Sequence, residues 1–139
     1  METHVGLYFK KISEKLERRA NCEKEKLGVT YTQSKLLWFL KKHEGERVTL
    51  RDIERFFDCS HATVSGLVSR LEERGFVKTL KDEEDGRAKN VVSTEKAERF
   101  HERMKEGRVA AEESLLRGFS DEEKERLSEY LDRVYKNLE

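Results

Sequence analysis

Between Thr49 and Val92 two short helical patterns, joined by three residues, run directly into a hairpin pattern, and few folds accommodate that order. Thr49 with Asp52 three residues on makes a capping-box-like start, with Asp in the third helical place, for a helix carrying Leu50, Ile53, Phe56 and Phe57. Asp58, Cys59 and Ser60 form a tight connection, and Ser60 is placed to cap the next helix. There Val64, Leu67, Val68 and Leu71 share one narrow arc, while Ala62, Thr63, Gly66, Ser69 and Arg70 point the other way. Gly75 ends that helix. Residues 76–80 and 88–92 then read as two short strands around a polar tip centred on Asp85 and Gly86, the one β segment expected.

The flanking segments are helical by pattern. The chain has no proline, so helix limits must be taken from glycines, caps and changes of period. From Thr3 to Leu27, Val5, Tyr8, Phe9, Ile12, Leu16 and Ala20 recur at steps of three and four, and Gly28 supplies a stop. Residues 36–40, LLWFL, are apolar on every side, which predicts a helix buried all round and ended near Gly45. After the hairpin, Ala97, Phe100, Met104, Ala111 and Leu115 hold helical spacing, with Gly107 a point where a bend is expected. Ser120 with Glu123 opens a last helix whose Leu127, Leu131, Val134 and Leu138 form an apolar seam.

Such a seam on a charged terminal helix needs a cover. Charged residues make up 42% of the 139 and hydrophobic ones 35%, which is polar for a monomer of this size and points to long helices with solvated faces or to a core completed by a partner. The 29 basic and 29 acidic side chains cancel, so any attraction to nucleic acid has to be local. No stretch approaches the roughly 20 apolar residues of a membrane span and the N-terminus is not built as a signal peptide, so a cytoplasmic protein with no membrane partner is expected. Cys22 and Cys59 fit no disulfide framework and are expected as free thiols.

Two short helices followed at once by a hairpin are the layout of a winged helix-turn-helix, and the expected fold is mainly α with a small β-hairpin wing. The first helix and the buried arc of the second would fix the angle that presents small polar side chains to a major groove about 12 Å wide. Thr63, Ser65 and Ser69 can exchange hydrogen bonds with base edges, while Arg70, Arg87 and Lys89 can neutralise phosphates. The candidate DNA surface is Ser60, His61, Ala62, Thr63, Ser65, Gly66, Ser69, Arg70, Asp85, Arg87 and Lys89. A plain helical pair with a solvated hairpin is the competing explanation.

Residues 48–94, VTLRDIERFFDCSHATVSGLVSRLEERGFVKTLKDEEDGRAKNVVST, resemble the core of the MarR family of transcription regulators, and residues 119–131, FSDEEKERLSEYL, resemble its closing helix. The most specific pieces are residues 63–77 and the DGRAK of residues 85–89, at the place of the family's wing-tip Asp-x-Arg. The resemblance implies a homodimer in which N- and C-terminal helices of both chains interleave, through Tyr8, Phe9, Ile12, Leu115, Leu116, Leu127, Leu131, Val134 and Leu138. It implies a dimerisation segment over residues 1–30, a DNA-binding winged helix-turn-helix over 31–93 and dimerisation helices over 94–139. Recognition helices would enter successive major grooves of a near-palindromic duplex, with Asp85 orienting Arg87 at the minor groove. The expected function is a sequence-specific regulator of double-stranded DNA, a repressor released by a small-molecule effector.

The chain departs from the family pattern in places. Glu84 stands where arginine is frequent, and Asp82, Glu83, Glu84 and Asp85 make the wing tip acidic. Gly66 occupies an outward position where relatives often carry a longer side chain. Ser93 and Ala97 replace the usual leucine and glycine. Tyr8, Tyr31, Trp38 or His43 could face an effector, although aromatics at helical spacing are more often core. Cys22 does not reproduce the spacing of the family's peroxide sensors, and Cys59 is expected to be buried; either leaves a thiol-based redox sensor as an alternative. His4, His43, His61 and His101 are scattered and only Cys59 lies near His61, so neither a metal site nor a cofactor is expected. No phosphate loop, nucleophile elbow or acid-base pair argues for an enzyme. The other class that survives is a dimeric ligand-binding or protein-interaction module with weak DNA binding, which the acidic wing favours.

Overall fold

In the computed structural model residues 4–139 are described; Thr3, with which the pattern opens the first helix, lies outside them. Six helices and a two-stranded antiparallel hairpin follow in the order α1 (Val5–Lys26), α2 (Tyr31–Lys42), α3 (Leu50–Phe57), α4 (His61–Glu73), β1 (Val77–Lys81), β2 (Lys89–Ser93), α5 (Glu95–Leu115) and α6 (Asp121–Lys136).

Helix starts follow the capping chemistry. Thr49 Oγ1 accepts the Asp52 N–H at 3.3 Å, and Asp52 Oδ2 accepts the Thr49 N–H at 2.8 Å, which is the reciprocal box expected. The Thr49 N–H foremost, and the Thr49 hydroxyl that donates to the same Oδ2 at 3.0 Å, hold the Asp52 carboxyl below its usual range. Ser60 caps α4 by accepting the Thr63 N–H, and Ser120 with Glu123 closes the box at α6. Thr30 and Gln33 form a further box at α2, whose Thr-x-x-Gln spacing carries the same signature.

Between α3 and α4 the chain reverses through Asp58, whose φ of 51° lies in the left-handed region that Asp tolerates better than branched residues. The Cys59 N–H returns to the Glu54 carbonyl, and the Cys59 side chain is exposed rather than buried as expected. Its thiol donates to the Phe57 carbonyl at 3.4 Å, so it meets the backbone of the turn and not the core.

The core is built where the arc predicted. Val64, Leu67, Val68 and Leu71 of α4 are all buried, against Ile53 of α3, Leu36, Leu37 and Leu40 of α2, Val77 and Val91 of the hairpin, and Phe100 of α5. Phe76 meets Phe100 edge to face with centroids 6.2 Å apart. Helix α2 is not buried all round: Trp38 is 58% exposed and Phe39 half-buried. Five consecutive apolar residues span more than one helical turn, and the subunit covers only the side bearing Leu36, Leu37 and Leu40.

The strands start one residue later than expected and pair in the register Val77 with Ser93, Thr79 with Val91 and Lys81 with Lys89. The loop before α3 adds a rung, since the Val91 N–H donates to the Val48 carbonyl at 2.8 Å and Thr49 bridges Asn90. Helix α5 runs through Gly107 without interruption. By contrast, α1 and α6 contain no buried residue, and no element packs broadly on α6.

Candidate nucleic-acid interface

Helix α4 is held on three sides and open on the fourth. Its start is joined to α3 by His61 Nδ1, 2.6 Å from Glu54 Oε1, while Ser60 Oγ, 3.0 Å from Thr63 Oγ1, closes the first turn of α4 itself. At its other end Glu72 Oε2 accepts both the Thr79 N–H at 2.6 Å and the Thr79 hydroxyl at 2.7 Å, which fixes β1 to the last turn. The Thr79 hydroxyl and N–H, in that order, hold the Glu72 carboxyl below its usual range. Glu72 was not a sequence candidate, because its partner is seven residues away across a turn and no helical or strand period links them.

On the open side Ser60, His61, Ala62, Thr63, Ser69 and Arg70 are exposed, and Ser65 and Gly66 are half-buried. All eight lie on or immediately before one helix, so the structure brings them together. A Cβ built at Gly66 meets nothing within 4 Å. The gap on the outward face is therefore open space, with no neighbour that requires glycine there.

The hairpin brings Asp85, Arg87 and Lys89 to one exposed tip. Asp85 Oδ1 accepts the Arg87 backbone N–H at 3.0 Å, and its carbonyl accepts the Ala88 N–H at 3.0 Å, so Asp85 shapes the turn that presents Arg87. The acidic run divides in the structure. Asp82 is buried, with Oδ2 3.1 Å from Arg47 Nη1 and Oδ1 3.4 Å from Asn90 Nδ2, and Glu84 Oε2 lies 2.9 Å from the same Arg47 nitrogen. Glu83, Glu84 and Asp85 remain exposed. Arg47 and Asn90 were not sequence candidates; the pairing spans thirty-five residues, and only the loop-to-β2 rung brings it about.

Away from α4, Tyr8, Phe9 and Ile12 are exposed on α1, as are Leu115, Leu131 and Leu138, while Leu116, Leu127 and Val134 are half-buried. A groove of about 1090 Å³ opens between α1 and α5, with Ile12, Leu16, Ala20, Met104 and Ala111 in its walls and Cys22 beside them. None of the aromatic effector candidates lines it. The Tyr31 ring is flanked by the ammonium groups of Lys24 and Lys35 at 5.2 and 5.6 Å, and His43 sits against Phe39 and 2.8 Å from Glu46. Among the described residues no group of three or more His, Cys, Asp or Glu side chains could hold a metal ion, and no helix is long and apolar enough to cross a membrane.

This geometry has clear relatives. A sequence profile of the MarR family matches residues 27–88. The HTH-type transcriptional regulator YwoH of Bacillus subtilis is 33% identical over 113 residues, covering 81% of this chain and 80% of its own. YybA, another HTH-type regulator of that organism, is 28% identical over 128 residues, 92% of this chain and 84% of its own. Among solved structures, a mutant of MepR from S. aureus bound to an oligodeoxyribonucleotide superposes with a TM-score of 0.88 at 26% identity, covering 99% of this chain and all of that one. An exposed face on α4 behind a tethered hairpin, and a relative one-third identical over four-fifths of both lengths, lead to one conclusion: the chain belongs to the MarR family, a winged helix-turn-helix family of transcription regulators.

Proposed function

We propose that two copies of this chain bind double-stranded DNA sequence-specifically and repress transcription by occupying the site. The observation that carries the reading is the outward face of α4: hydroxyl-bearing Ser60, Thr63, Ser65 and Ser69, with Arg70 at the flank, left open by its own subunit while Val64, Leu67, Val68 and Leu71 anchor the other side. Short hydroxyl side chains let the helix backbone come close to base edges, and Arg87 and Lys89 on the hairpin supply charge for the phosphates beside it. Arg87 is the minor-groove candidate, and Asp85 serves it by fixing its backbone. Arg47, shared by Asp82 and Glu84, offsets one of the four acidic charges of residues 82–85 and so weakens the acidic objection to a DNA-facing wing.

The dimer is supported by the exposed apolar seams of α1 and α6, since an isolated helix of such length is marginal in water without tertiary packing. Residues 1–30 and 94–139 accordingly serve dimerisation and residues 31–93 serve DNA. Repression needs no further surface, because a protein seated on a promoter excludes others by occupancy. A small-molecule effector fits the α1–α5 groove, whose apolar walls and neighbouring Arg18, Arg19 and Arg108 suit a lipophilic molecule with an anionic group. Nothing in the site calls for catalysis.

Selection of bound duplexes from a random pool at two salt concentrations tests the reading. Near-palindromes with half-sites about 34–36 Å apart, and affinity that falls steeply with salt, are expected. Recovery of no preferred sequence at either salt concentration would leave a dimeric interaction module instead.

A further inference from the structure

The wing of this chain is pinned from outside the helix-turn-helix. Arg47 lies in the loop between α2 and α3, and its Nη1 contacts both the buried Asp82 at the base of the wing and the exposed Glu84 further along it. Asp82 also accepts from Asn90 on β2, and the same loop pairs with β2 through Val48 and Thr49. The Asp82 side chain is only 4% exposed, whereas that of Arg47 is 51% exposed. A buried carboxylate without its cation is strongly disfavoured, and it escapes the cost by turning toward water. Asp82 stands three residues before Asp85 and immediately after β1, so turning it outward displaces the tip that carries Arg87.

We propose that Arg47 is the positioning residue of the wing: the Arg47–Asp82 pair holds the hairpin at the angle from which Arg87 reaches DNA. The proposal rests on the DNA-binding reading for its consequence, but not for the clamp itself. Arg47 acts through Arg87 and does not depend on touching a phosphate. That separates it from Lys89 and Arg70, whose charges would act on DNA directly.

The test combines hydrogen exchange on the free protein with a double-mutant cycle on the complex. Arg47→Ala should raise amide exchange at Ala88 and Val91 about tenfold while leaving α4 amides near wild type, and Asp82→Asn, which keeps the side-chain shape and the Asn90 contact, should act in the same direction. On a duplex selected with the wild-type protein, Arg47→Ala should weaken binding about tenfold, but less than twofold when Arg87 is already alanine, since a residue that works through another has no effect once the other is gone. Unchanged wing exchange in both variants overturns the clamp. An undiminished loss of affinity in the Arg87→Ala background shows Arg47 to be an independent phosphate contact and overturns the positioning role. A wild-type protein that binds no duplex defeats the DNA reading alone, because the exchange measurement still decides whether Arg47 holds the wing.

Discussion

At the level of single side chains the two faces of α4 make opposite demands. Leu71 is fully buried among α2, α3 and α5 residues, so Leu71→Ala should cost about 2–5 kcal/mol, measured by urea unfolding. Gly66 on the other face has open space around its missing side chain, and Gly66→Ala should stabilise the helix by about 1 kcal/mol without disturbing the fold. A destabilised Gly66→Ala would mean that close approach at that position is needed within the subunit after all. Arg87→Ala should lower affinity on every duplex and reduce the salt dependence by about one counterion, whereas Ser65→Ala or Ser69→Ala should change which bases are preferred by about 1–3 kcal/mol. Titration separates these surfaces from His101 on α5, whose pKa is lowered chiefly by burial and whose Nε2 is buried without a hydrogen-bond partner. A histidine that resists protonation when folded takes up its proton first in the unfolded chain, so stability falls as pH drops below the ordinary value of 6.5. His101→Leu should therefore flatten the loss of stability between about pH 7 and pH 5, and an equally steep profile in that variant refutes the assignment.

Secondary-structure elements show where sequence reasoning reaches and where it stops. The caps at Thr49, Ser60 and Ser120, the buried arc of α4 and the hairpin all rest on residues within four positions of one another or on strict alternation, and the structure has each of them within a residue of its expected place. Contacts that cross between elements left no such trace. Nothing periodic links Arg47 to Asp82, Glu72 to Thr79, or Lys41 to Glu98, whose ion pair at 2.8 Å joins α2 to α5. Cys59 differs from expectation for the same reason: its exposure follows the left-handed turn at Asp58, which composition does not announce. The Glu72 link also has a pH signature. Its carboxyl is held low by Thr79, so the bond is fully present above the usual glutamate range and is lost as pH falls through the lower folded value. Exchange protection of the Thr79 amide should fall along that descent, and Glu72→Gln should weaken it at every pH.

For the whole molecule the decisive fact is that α6 packs broadly on no other element and that α1, although it lies along α5, buries no residue of its own. The central lobe has a complete core, yet α6 displays Tyr130, Leu131 and Tyr135 to solvent and α1 displays Leu7, Tyr8, Phe9 and Ile12. In the proposed dimer Leu131→Asp should yield a monomer by sedimentation, with duplex binding lost and the core of α2 to α4 intact, because Leu131 contributes to no buried cluster within the subunit. A stable Leu131→Asp dimer would place the interface elsewhere. The absence of any buried residue in α1 and α6 carries one more consequence. In the proposed dimer, order at the termini is a reaction between two molecules, so the apparent melting temperature should climb with protein concentration. In the proposed dimer, dilution should leave the central lobe folded while α6 loses its cover, and limited proteolysis at falling concentration should cut there first.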